Sequence, residues 1–222
     1  MSRSSVAVRT VGGPGLYFFA SALTRTTSLI TICHRKTPGQ PWKNGLVPAS
    51  PQSVLYVIAC GGPPAGRVGE FVRVAQGLGW DVAVVATPDG AKFLDIGQLQ
   101  ELTGHPVRVN YKQPGEADVL PPADAMVVAP ATFSTVNKLV AGISDTLAMG
   151  LLNEAIGLGL PIIVVPWPNV PLSRHPAFGR SVTALREWGV TVLYDPENLP
   201  GRDGDPATFP WEELAVELGK HS

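Results

Sequence analysis

The sequence predicts an α/β fold in which a parallel sheet of about five or six strands is covered by helices on both faces. Short, continuous apolar runs recur along the chain, and such runs are typical of strands that are buried on both sides. Between these runs, apolar residues recur at helical spacing, and several of these segments end at a glycine. Strands that alternate with helices in this way indicate parallel pairing.

The expected elements follow from this pattern in chain order. The predicted strands cover residues 54–59, 82–86, 125–129, 162–165 and 190–194. The predicted helices cover residues 71–78, 93–102, 136–141, 145–158, 182–188 and 211–218. Ligands of such sheets bind beyond the carboxyl ends of the strands. The loops that follow residues 59, 86, 129 and 165 are therefore expected to form the functional site.

Composition narrows the class of protein. The chain has 222 residues and 45% hydrophobic content, enough for one domain with a large core. Seven basic residues and no acid precede residue 70, so the rest carries ten basic and eighteen acidic residues, a net charge of −8. An acidic folded body argues against a nucleic-acid partner. No apolar run approaches the roughly 20 residues of a membrane helix.

The chain divides into two regions. Residues 1–50 are rich in Ser, Thr, Arg, Gly and Pro and lack sustained periodicity. We interpret them as a disordered leader or as an over-long gene start, with a transit peptide or a secretory signal around Leu16 as alternatives. The folded domain is expected over residues 51–222. Two cysteines are too few for a disulfide framework, so a reducing cytoplasm is the simplest location. Their spacing is not that of metal ligands, so no metal is expected.

The first two loops offer glycines and a hydroxyl. Gly61 and Gly62 follow the first strand and let the backbone approach a ligand closely, although a tight turn explains them equally well. This loop lacks both the dinucleotide fingerprint and the P-loop lysine. Thr87, after the second strand, is suited to cap the next helix or to bind a phosphate oxygen.

The third loop, after the strand at 125–129, is the most informative. Ala131, Thr132, Ser134 and Thr135 form a turn with three hydroxyls that opens directly into a helical pattern. A helix N-terminus presents free backbone N–H groups, so this turn suits a polar and often anionic ligand. A generously capped helix is the alternative interpretation.

The fourth loop is rich in proline, which fixes its shape. Asn169, Arg174 and His175 are its polar side chains. A long ordered loop at this edge is more often functional than idle. Trp167 is suited either to stack on a ligand ring or to pack in the core.

Two of these loops resemble motifs of one family, the homo-oligomeric flavin-containing cysteine decarboxylases. The third loop resembles the family's PAS/T-x-N-T-x-N-K-x-x-x-G-x-x-D motif. The matching residues are Pro130, Ala131, Thr132, Thr135, Asn137, Lys138, Gly142 and Asp145, while Ser134 replaces an Asn. The fourth loop resembles the P-x-M-N-x-x-M-W-x-N/H-P-A motif. Its matches are Pro166, Asn169, His175, Pro176 and Ala177, while Pro168, Leu172 and Ser173 depart from it.

The resemblance covers about residues 53–218 and implies a flavodoxin-like three-layer sandwich that binds FMN, rather than FAD, as a homo-trimer or higher oligomer. It implies that Gly61, Gly62 and Thr87 hold the phosphate. Residues 131–135 would contact the phosphate, the ribityl chain or the ring, and Asn169 would face a substrate carboxylate. Family members oxidise a cysteine-derived thiol, which then loses CO₂.

The family's catalytic histidine is missing. Its position, about fourteen residues before Pro130, is occupied by Glu116, and no histidine lies between His105 and His175. A buried carboxylate can act as a base if its pKa is raised. Glu116 as an ordinary loop acid and His175 as the base are the alternatives.

Three functions therefore follow from the sequence. The first is oxidative decarboxylation of a peptidyl or pantothenoyl cysteine by a cytoplasmic FMN enzyme. The second is other redox chemistry with FMN, because the base and the Met-rich loop are altered. The third is a non-catalytic or regulatory subunit that binds FMN.

Overall fold

The computed structural model describes residues 52–197, 199 and 205–221, so the expected leader at 1–50 lies outside the described residues. Five parallel strands form one sheet in the order β2-β1-β3-β4-β5. The strands are β1 (Val54–Ala59), β2 (Asp81–Ala86), β3 (Ala125–Ala131), β4 (Ile162–Pro166) and β5 (Thr191–Val192). The predicted α/β class and parallel pairing are confirmed.

Seven α-helices are present in the described part of the chain. They are α1 (Val68–Gly77), α2 (Ile96–Thr103), α3 (Phe133–Val140), α4 (Leu147–Leu158), α5 (Val170–Ser173), α6 (Pro176–Glu187) and α7 (Trp211–Leu218). Short 3₁₀ turns lie at Pro63–Arg67, Gly90–Phe93 and Pro206–Thr208. Gly104, which ends α2, has φ 72°, a left-handed conformation that glycine adopts without steric cost. None of these helices is long and apolar enough to cross a membrane.

The structure differs from the sequence-based expectation at the fifth strand and in the segment after β4. The fifth strand was expected at 190–194, but it pairs with β4 only over Thr191–Val192, and the Leu193 N–H makes a further bond to the Val164 carbonyl. The region after β4 was interpreted as one long loop, yet it contains α5 and the start of α6. Asn169 caps α5 and His175 caps α6, and prolines occupy the first turns of both helices, where a missing N–H costs nothing. The prolines were interpreted as a sign of a loop, whereas they occupy the first turns of α5 and α6.

The core has two layers because successive strand residues face opposite sides of the sheet. One face packs Tyr56, Ile58 and their neighbours against α3, α4 and α6. The other face packs Leu55, Val57 and their neighbours against α1 and α7, with Leu99 of α2. The fold is thus a three-layer sandwich, and all strands point their carboxyl ends towards one edge, where the site is expected.

Candidate functional site

The turn between β3 and α3 lies at the carboxyl edge of the sheet. β3 extends to Ala131, and α3 begins at Phe133, three residues before its expected start. Thr132 is the N-cap, and its hydroxyl accepts a hydrogen bond from the backbone N–H of Thr135 at 3.2 Å. This capping arrangement explains why the helix begins so close to the strand.

A chain of hydrogen bonds connects this turn to the end of β1. The hydroxyls of Thr132 and Thr135 lie 2.9 Å apart, and the Thr135 hydroxyl donates to Cys60 Sγ at 3.3 Å. Thr135 and Cys60 are buried, with exposed fractions of 6% and 1%. Burial raises the pKa of Cys60 to about 11, although hydrogen bonds from the Thr135 side chain and the Thr132 backbone lower it. Cys60 is therefore a neutral thiol that anchors the turn.

The first turn of α3 keeps two backbone donors for a ligand. The Thr135 N–H is capped by Thr132, and the Val136 N–H donates to the Thr132 carbonyl. Within the described residues, the N–H groups of Phe133 and Ser134 donate to no protein atom. Ser134 is exposed and its hydroxyl makes no hydrogen bond in the described part of the chain. Together these three groups can bind acceptor atoms of a ligand.

The loops after β1 and β2 approach each other closely. A Cβ on Gly90 would lie 2.2 Å from the carbonyl oxygen of Ala59, and a Cβ on Gly61 would lie 2.9 Å from Cβ of Asp89. Gly61 and Gly90 thus allow the two loops to pack, whereas a Cβ on Gly62 would approach Pro130 only to 3.8 Å. Glycine is required here for packing between loops, independently of any ligand.

The Thr87 hydroxyl lies at the start of the 3₁₀ turn that follows β2. It accepts a hydrogen bond from the Gly90 N–H at 3.0 Å, whereas the N-cap of this turn is Asp89 and the cap of α2 is Asp95. A hydroxyl that accepts retains its own proton, which can be donated to a phosphate oxygen. Pro63 and Pro64 have no N–H, so the loop after β1 offers fewer donors than the start of α3.

Lysines near these loops are already paired. Lys92 contacts Asp89 at 2.6 Å, and this hydrogen bond holds the pKa of Asp89 below its usual value. Lys138 contacts Asp145 at 2.6 Å and ties α3 to the segment before α4. Neither lysine is therefore a free cation at this edge, where N–H and hydroxyl donors remain available.

The segment after β4 places Asn169 and His175 at helix starts. Asn169 Oδ1 accepts from the Leu172 N–H at 3.1 Å, which leaves its amide NH₂ available to donate. His175 Nδ1 accepts from the Ala177 N–H at 3.1 Å, so this nitrogen carries no proton and Nε2 carries the ring N–H. Each side chain therefore keeps a donor that its cap bond does not use, the NH₂ of Asn169 and the Nε2–H of His175.

Two contacts bring α6 and α3 together. The ring of His175 meets Phe133 edge to face at a centroid distance of 5.4 Å. The hydroxyl of buried Ser181 donates to Asn137 Oδ1 at 2.8 Å, and Asn137 Nδ2 donates to the Phe133 carbonyl at 2.8 Å. The motif residue Asn137 therefore fixes α6, and with it His175, against the first turn of α3.

Glu116 lies apart from these groups, on the long connection between α2 and β3. This connection runs parallel to β2, from His105, which contacts Asp81 at 2.8 Å, to Arg108, which pairs with Val85. It then crosses to α4, where the Tyr111 hydroxyl donates to the Thr146 carbonyl at 3.1 Å. Glu116 is exposed, and its carboxylate accepts from the Gln113 N–H at 2.8 Å within the same connection. Glu116 is therefore neither buried nor hydrogen-bonded to the loops of the carboxyl edge in the described part of the chain.

A cleft of about 450 Å³ separates this connection from α4. Its apolar wall includes Leu120, Leu147 and Leu151, and its polar wall includes Arg108 and Lys112. It is lined by residues of the connection, of α4 and of the inner strands rather than by the β3–α3 turn.

The structure thus unites some of the expected site residues and separates others. Thr132 and Thr135 share one hydrogen-bonded turn with Ala131, and Phe133 brings His175 to it. No hydrogen bond joins Glu116 to these loops within the described residues. Sequence reasoning missed Cys60 and Phe133, although the position of Cys60 at the end of an apolar strand was a usable signal.

These groups fit a flavin mononucleotide. Two free N–H groups, the Ser134 hydroxyl and the Thr87 hydroxyl can donate to phosphate and carbonyl oxygens. The half-buried Thr132 hydroxyl can contact the ribityl chain of the flavin. The unpaired backbone donors at the start of α3 are the strongest structural sign of a bound group.

Several curated relatives share sequence with this chain. The coenzyme A biosynthesis bifunctional protein CoaBC of Mycolicibacterium smegmatis is 28% identical over 171 residues, which is 75% of this chain and 41% of the relative. CoaBC of Escherichia coli K12 is 26% identical over 163 residues, 67% of this chain and 39% of the relative. The chain therefore spans about two fifths of the length of these relatives.

Solved structures share the fold. A mutant of PPC decarboxylase complexed with pantothenoylaminoethenethiol is 21% identical, with a TM-score of 0.58, covering 77% of this chain and 100% of that chain. The FMN-dependent cysteine decarboxylase SpaF is 23% identical, with a TM-score of 0.62, covering 77% and 97%. The FMN binding protein AtHal3 is 20% identical, with a TM-score of 0.58, covering 77% and 99%.

The family assignment rests on a comparison with family profiles, in which the match covers most of the chain. The profile of the family described as Flavoprotein matches residues 53–218, a range that contains all five strands and the β3–α3 turn. The three-layer α/β sandwich agrees with this match, and the sequence resemblance to flavin-containing decarboxylases is confirmed at the level of the family. The chain belongs to the Flavoprotein family.

Proposed function

We propose that this protein uses FMN to oxidise and decarboxylate a cysteine-derived thiol, either a C-terminal peptidyl cysteine or a pantothenoyl cysteine. The family and the FMN-dependent decarboxylases of similar fold support FMN as the cofactor. One observation carries the proposal. In the described part of the chain, the start of α3 presents two unpaired N–H groups and two hydroxyls at the carboxyl edge of the sheet, and its Phe133 contacts the ring of the helix cap His175.

FMN, when bound, supplies two-electron oxidation of the substrate carbon that bears the thiol, and the oxidised substrate can then release its carboxylate as CO₂. The chain's own residues position the substrate. The amide NH₂ of Asn169 is free to donate to the substrate carboxylate, because its oxygen is occupied by the Leu172 N–H. The Nε2–H of His175 is a second outward donor, fixed by the cap on Nδ1.

A base must remove the proton of the thiol. His175 cannot accept a proton on Nδ1 without giving up the Ala177 N–H, so a base role would break the start of α6. Glu116 has one carboxylate oxygen bonded to Gln113 and the other free. We therefore assign the base role to Glu116, reached through movement of its connection towards the carboxyl edge.

A decisive experiment uses the purified protein. A visible spectrum of yellow protein, with released chromophore that co-elutes with FMN, is expected. Under anaerobic conditions, a cysteine-terminated peptide or phosphopantothenoylcysteine should bleach the flavin and lose roughly 44 Da, the mass of CO₂, the leaving group of this chemistry. FAD, or colourless protein that cannot be reconstituted, would contradict the cofactor assignment.

A non-catalytic FMN-binding protein is the second candidate. Within the described residues, the hydrogen bond of the Glu116 carboxylate is to Gln113 of its own connection and none reaches the β3–α3 turn, which favours this candidate. Bound FMN without bleaching by either cysteine substrate would support it. Bleaching by a thiol without loss of CO₂ would instead indicate other redox chemistry.

We further propose that the protein is a homo-oligomer of three or more copies. Helix α4 is apolar around most of its circumference, and its Leu158 is 68% exposed. A helix that is apolar on all sides is normally buried, so a second copy is the expected partner. Light scattering coupled to size exclusion measures the mass directly, and a monomer would contradict the proposal. The cytoplasm remains the expected location.

A further inference from the structure

Helix α4 carries a glycine at a place where a side chain would collide with the connection between α2 and β3. The helix has 12 residues, and Gly150 is the fourth of them. Glycine is one of the least favourable residues inside a helix, so its presence there calls for a reason. A Cβ on Gly150 would lie 2.1 Å from the hydroxyl oxygen of Tyr111, well inside van der Waals contact. Gly150 therefore makes room for Tyr111.

A hydrogen bond holds the Tyr111 hydroxyl against the helix. This hydroxyl donates to the Thr146 carbonyl at 3.1 Å, and the same carbonyl accepts the Gly150 N–H at 2.9 Å. A carbonyl oxygen has two lone pairs, so it can accept both bonds. Thr146 is also the N-cap of α4. Tyr111 is thus fastened to the first turn of α4, although it is 55% exposed.

This contact lies towards the carboxyl edge of the sheet. Tyr111 follows Arg108, which pairs with Val85 near the end of β2. Helix α4 is about 18 Å long, at about 1.5 Å per residue, and it ends at Leu158, shortly before β4 begins at the opposite edge. Its first turn is therefore directed towards the carboxyl edge, where the β3–α3 turn also lies.

A second tyrosine fastens the far end of the exposed stretch. The Tyr56 hydroxyl donates to the Pro121 carbonyl at 2.7 Å, and Tyr56 is only 6% exposed. Within the described residues, the hydrogen bonds and ion pairs of residues 112–120 join members of that stretch to each other, as in the bond from the Gln113 N–H to the Glu116 carboxylate. The stretch can therefore move between two fastened ends.

We infer that Tyr111 is a positioning residue. Seated on Gly150, it fastens the near end of the connection at the carboxyl edge, so that only residues 112–120 swing when Glu116 reaches a substrate. This inference rests on the proposed function, in which Glu116 is the base, and it names the fixed point of that movement. The latch, formed by Tyr111, Thr146 and Gly150, acts through the path of the connection and not by contact with the substrate.

Thermal denaturation of the full chain tests the latch without any reaction. Gly157→Ala is the matched control, because Gly157 also lies inside α4 and a Cβ there meets nothing within 4 Å. Gly157→Ala should raise Tm by about 1–4 °C through helix propensity. Gly150→Ala should bring no such rise, because the new methyl group displaces the Tyr111 hydroxyl from the Thr146 carbonyl. In a Tyr111→Ala background, which removes the whole ring, Gly150→Ala should raise Tm as Gly157→Ala does.

Two thermal results would overturn the latch. Equal rises for Gly150→Ala and Gly157→Ala in the parent protein would show that Tyr111 does not occupy the space at Gly150. Absence of a rise for Gly150→Ala in the Tyr111→Ala background would show that a group other than Tyr111 requires the glycine.

Steady-state kinetics of the FMN-loaded protein test the positioning role. Tyr111→Phe removes the bond and keeps the ring, whereas Gly150→Ala keeps the hydroxyl and moves it. Each should lower kcat for a cysteine-terminated peptide by about 2- to 10-fold, because one hydrogen bond shifts the fastened-to-loose equilibrium by about that factor. KM and FMN affinity should stay within about twofold. The double variant should be no slower than the slower single variant, since both changes break one contact. Gly157→Ala should keep the parent kcat.

The kinetic results separate this inference from the proposed function. Unchanged kcat in Tyr111→Phe, or losses that multiply in the double variant, would overturn the positioning role. A higher kcat would show that the latch holds Glu116 away from the substrate and would overturn it as well. A parent protein that binds FMN but decarboxylates no cysteine substrate would overturn the proposed function and the positioning role together, whereas the Tm comparison would still decide whether the latch exists.

Discussion

The β3–α3 turn and the connection between α2 and β3 were both expected to carry site residues, yet the structure holds them very differently. The turn is fixed by Cys60 from β1, by the Thr132 cap and by the link from Ser181 of α6. The connection is exposed from residue 110 to residue 119. Its attachments include Arg108 before the exposed stretch, Tyr111 near the start of that stretch, and the bond from the Tyr56 hydroxyl to the Pro121 carbonyl after it. Rigid packing suits the β3–α3 turn if it binds a ligand. Exposure and few contacts suit the connection if Glu116 must move to reach a substrate.

The largest expected effect concerns the connection. If Glu116 is the base, Glu116→Gln should lower turnover of a cysteine-terminated peptide by roughly 10²- to 10⁴-fold and leave FMN affinity unchanged. Asp118→Asn is the matched control, because Asp118 is an exposed acid of the same connection paired with Lys112 at 2.8 Å. Loss of CO₂ measured by mass spectrometry gives both rates. Full activity in Glu116→Gln would move the base elsewhere and make the connection purely structural.

The second effect contrasts the packing of the two regions. Leu139 of α3 is 2% exposed, so Leu139→Ala should lower the free energy of unfolding by about 2–5 kcal/mol. Val119 of the connection is 52% exposed, so Val119→Ala should change it by less than about 0.5 kcal/mol. Urea denaturation measures both values. Equal costs would show that the connection is as well packed as the turn.

The third effect is a pH dependence of the free energy of unfolding, caused by the thiol of Cys60 next to the β3–α3 turn. Burial raises the pKa of Cys60 from 9.0 to about 11 in the folded state. A raised pKa means that stability is fully present below pH 9, where the thiol is neutral in both states. As the pH rises towards 11, only the unfolded thiol ionises, which should remove up to about 3 kcal/mol.

Denaturation of the parent protein and of Cys60→Ala between pH 8 and pH 11, under reducing conditions, isolates this contribution. The parent protein should lose unfolding free energy as the pH rises, because only it carries the buried thiol. The difference in unfolding free energy between the parent protein and Cys60→Ala should therefore become smaller. Parallel curves would mean that the sulfur is solvated or that the turn opens before the thiol ionises.

The smallest effect separates a buried hydroxyl from an exposed one within the turn. Thr135→Val removes the donor to Cys60 and the acceptor for Thr132, so it should cost about 1–3 kcal/mol of unfolding free energy. Ser134→Ala removes a hydroxyl that is exposed and makes no hydrogen bond in the described part of the chain, so it should cost less than about 0.5 kcal/mol. Thermal denaturation of the apoprotein suffices. A neutral Thr135→Val would show that the hydrogen-bonded chain adds nothing to the frame.

Local sequence determined the parts of this protein that depend on near neighbours. Apolar runs such as Val54–Ala59 predict buried strands because no other element buries every residue of so short a segment. The hydroxyls at 132–135 predict a capped helix start, since a cap and its helix lie within one turn. Their pattern, together with the region around Asn169 and His175, was also sufficient to identify the family.

Only the tertiary structure decided how distant segments meet. The contact of Thr135 with Cys60 joins residues 75 positions apart, and the contact of Ser181 with Asn137 joins residues 44 positions apart. No periodicity encodes such pairs, because strand order and helix packing bring them together. The exposure of Glu116 likewise depends on the path of its connection, which is set by packing between layers rather than by the residues beside Glu116 in the chain.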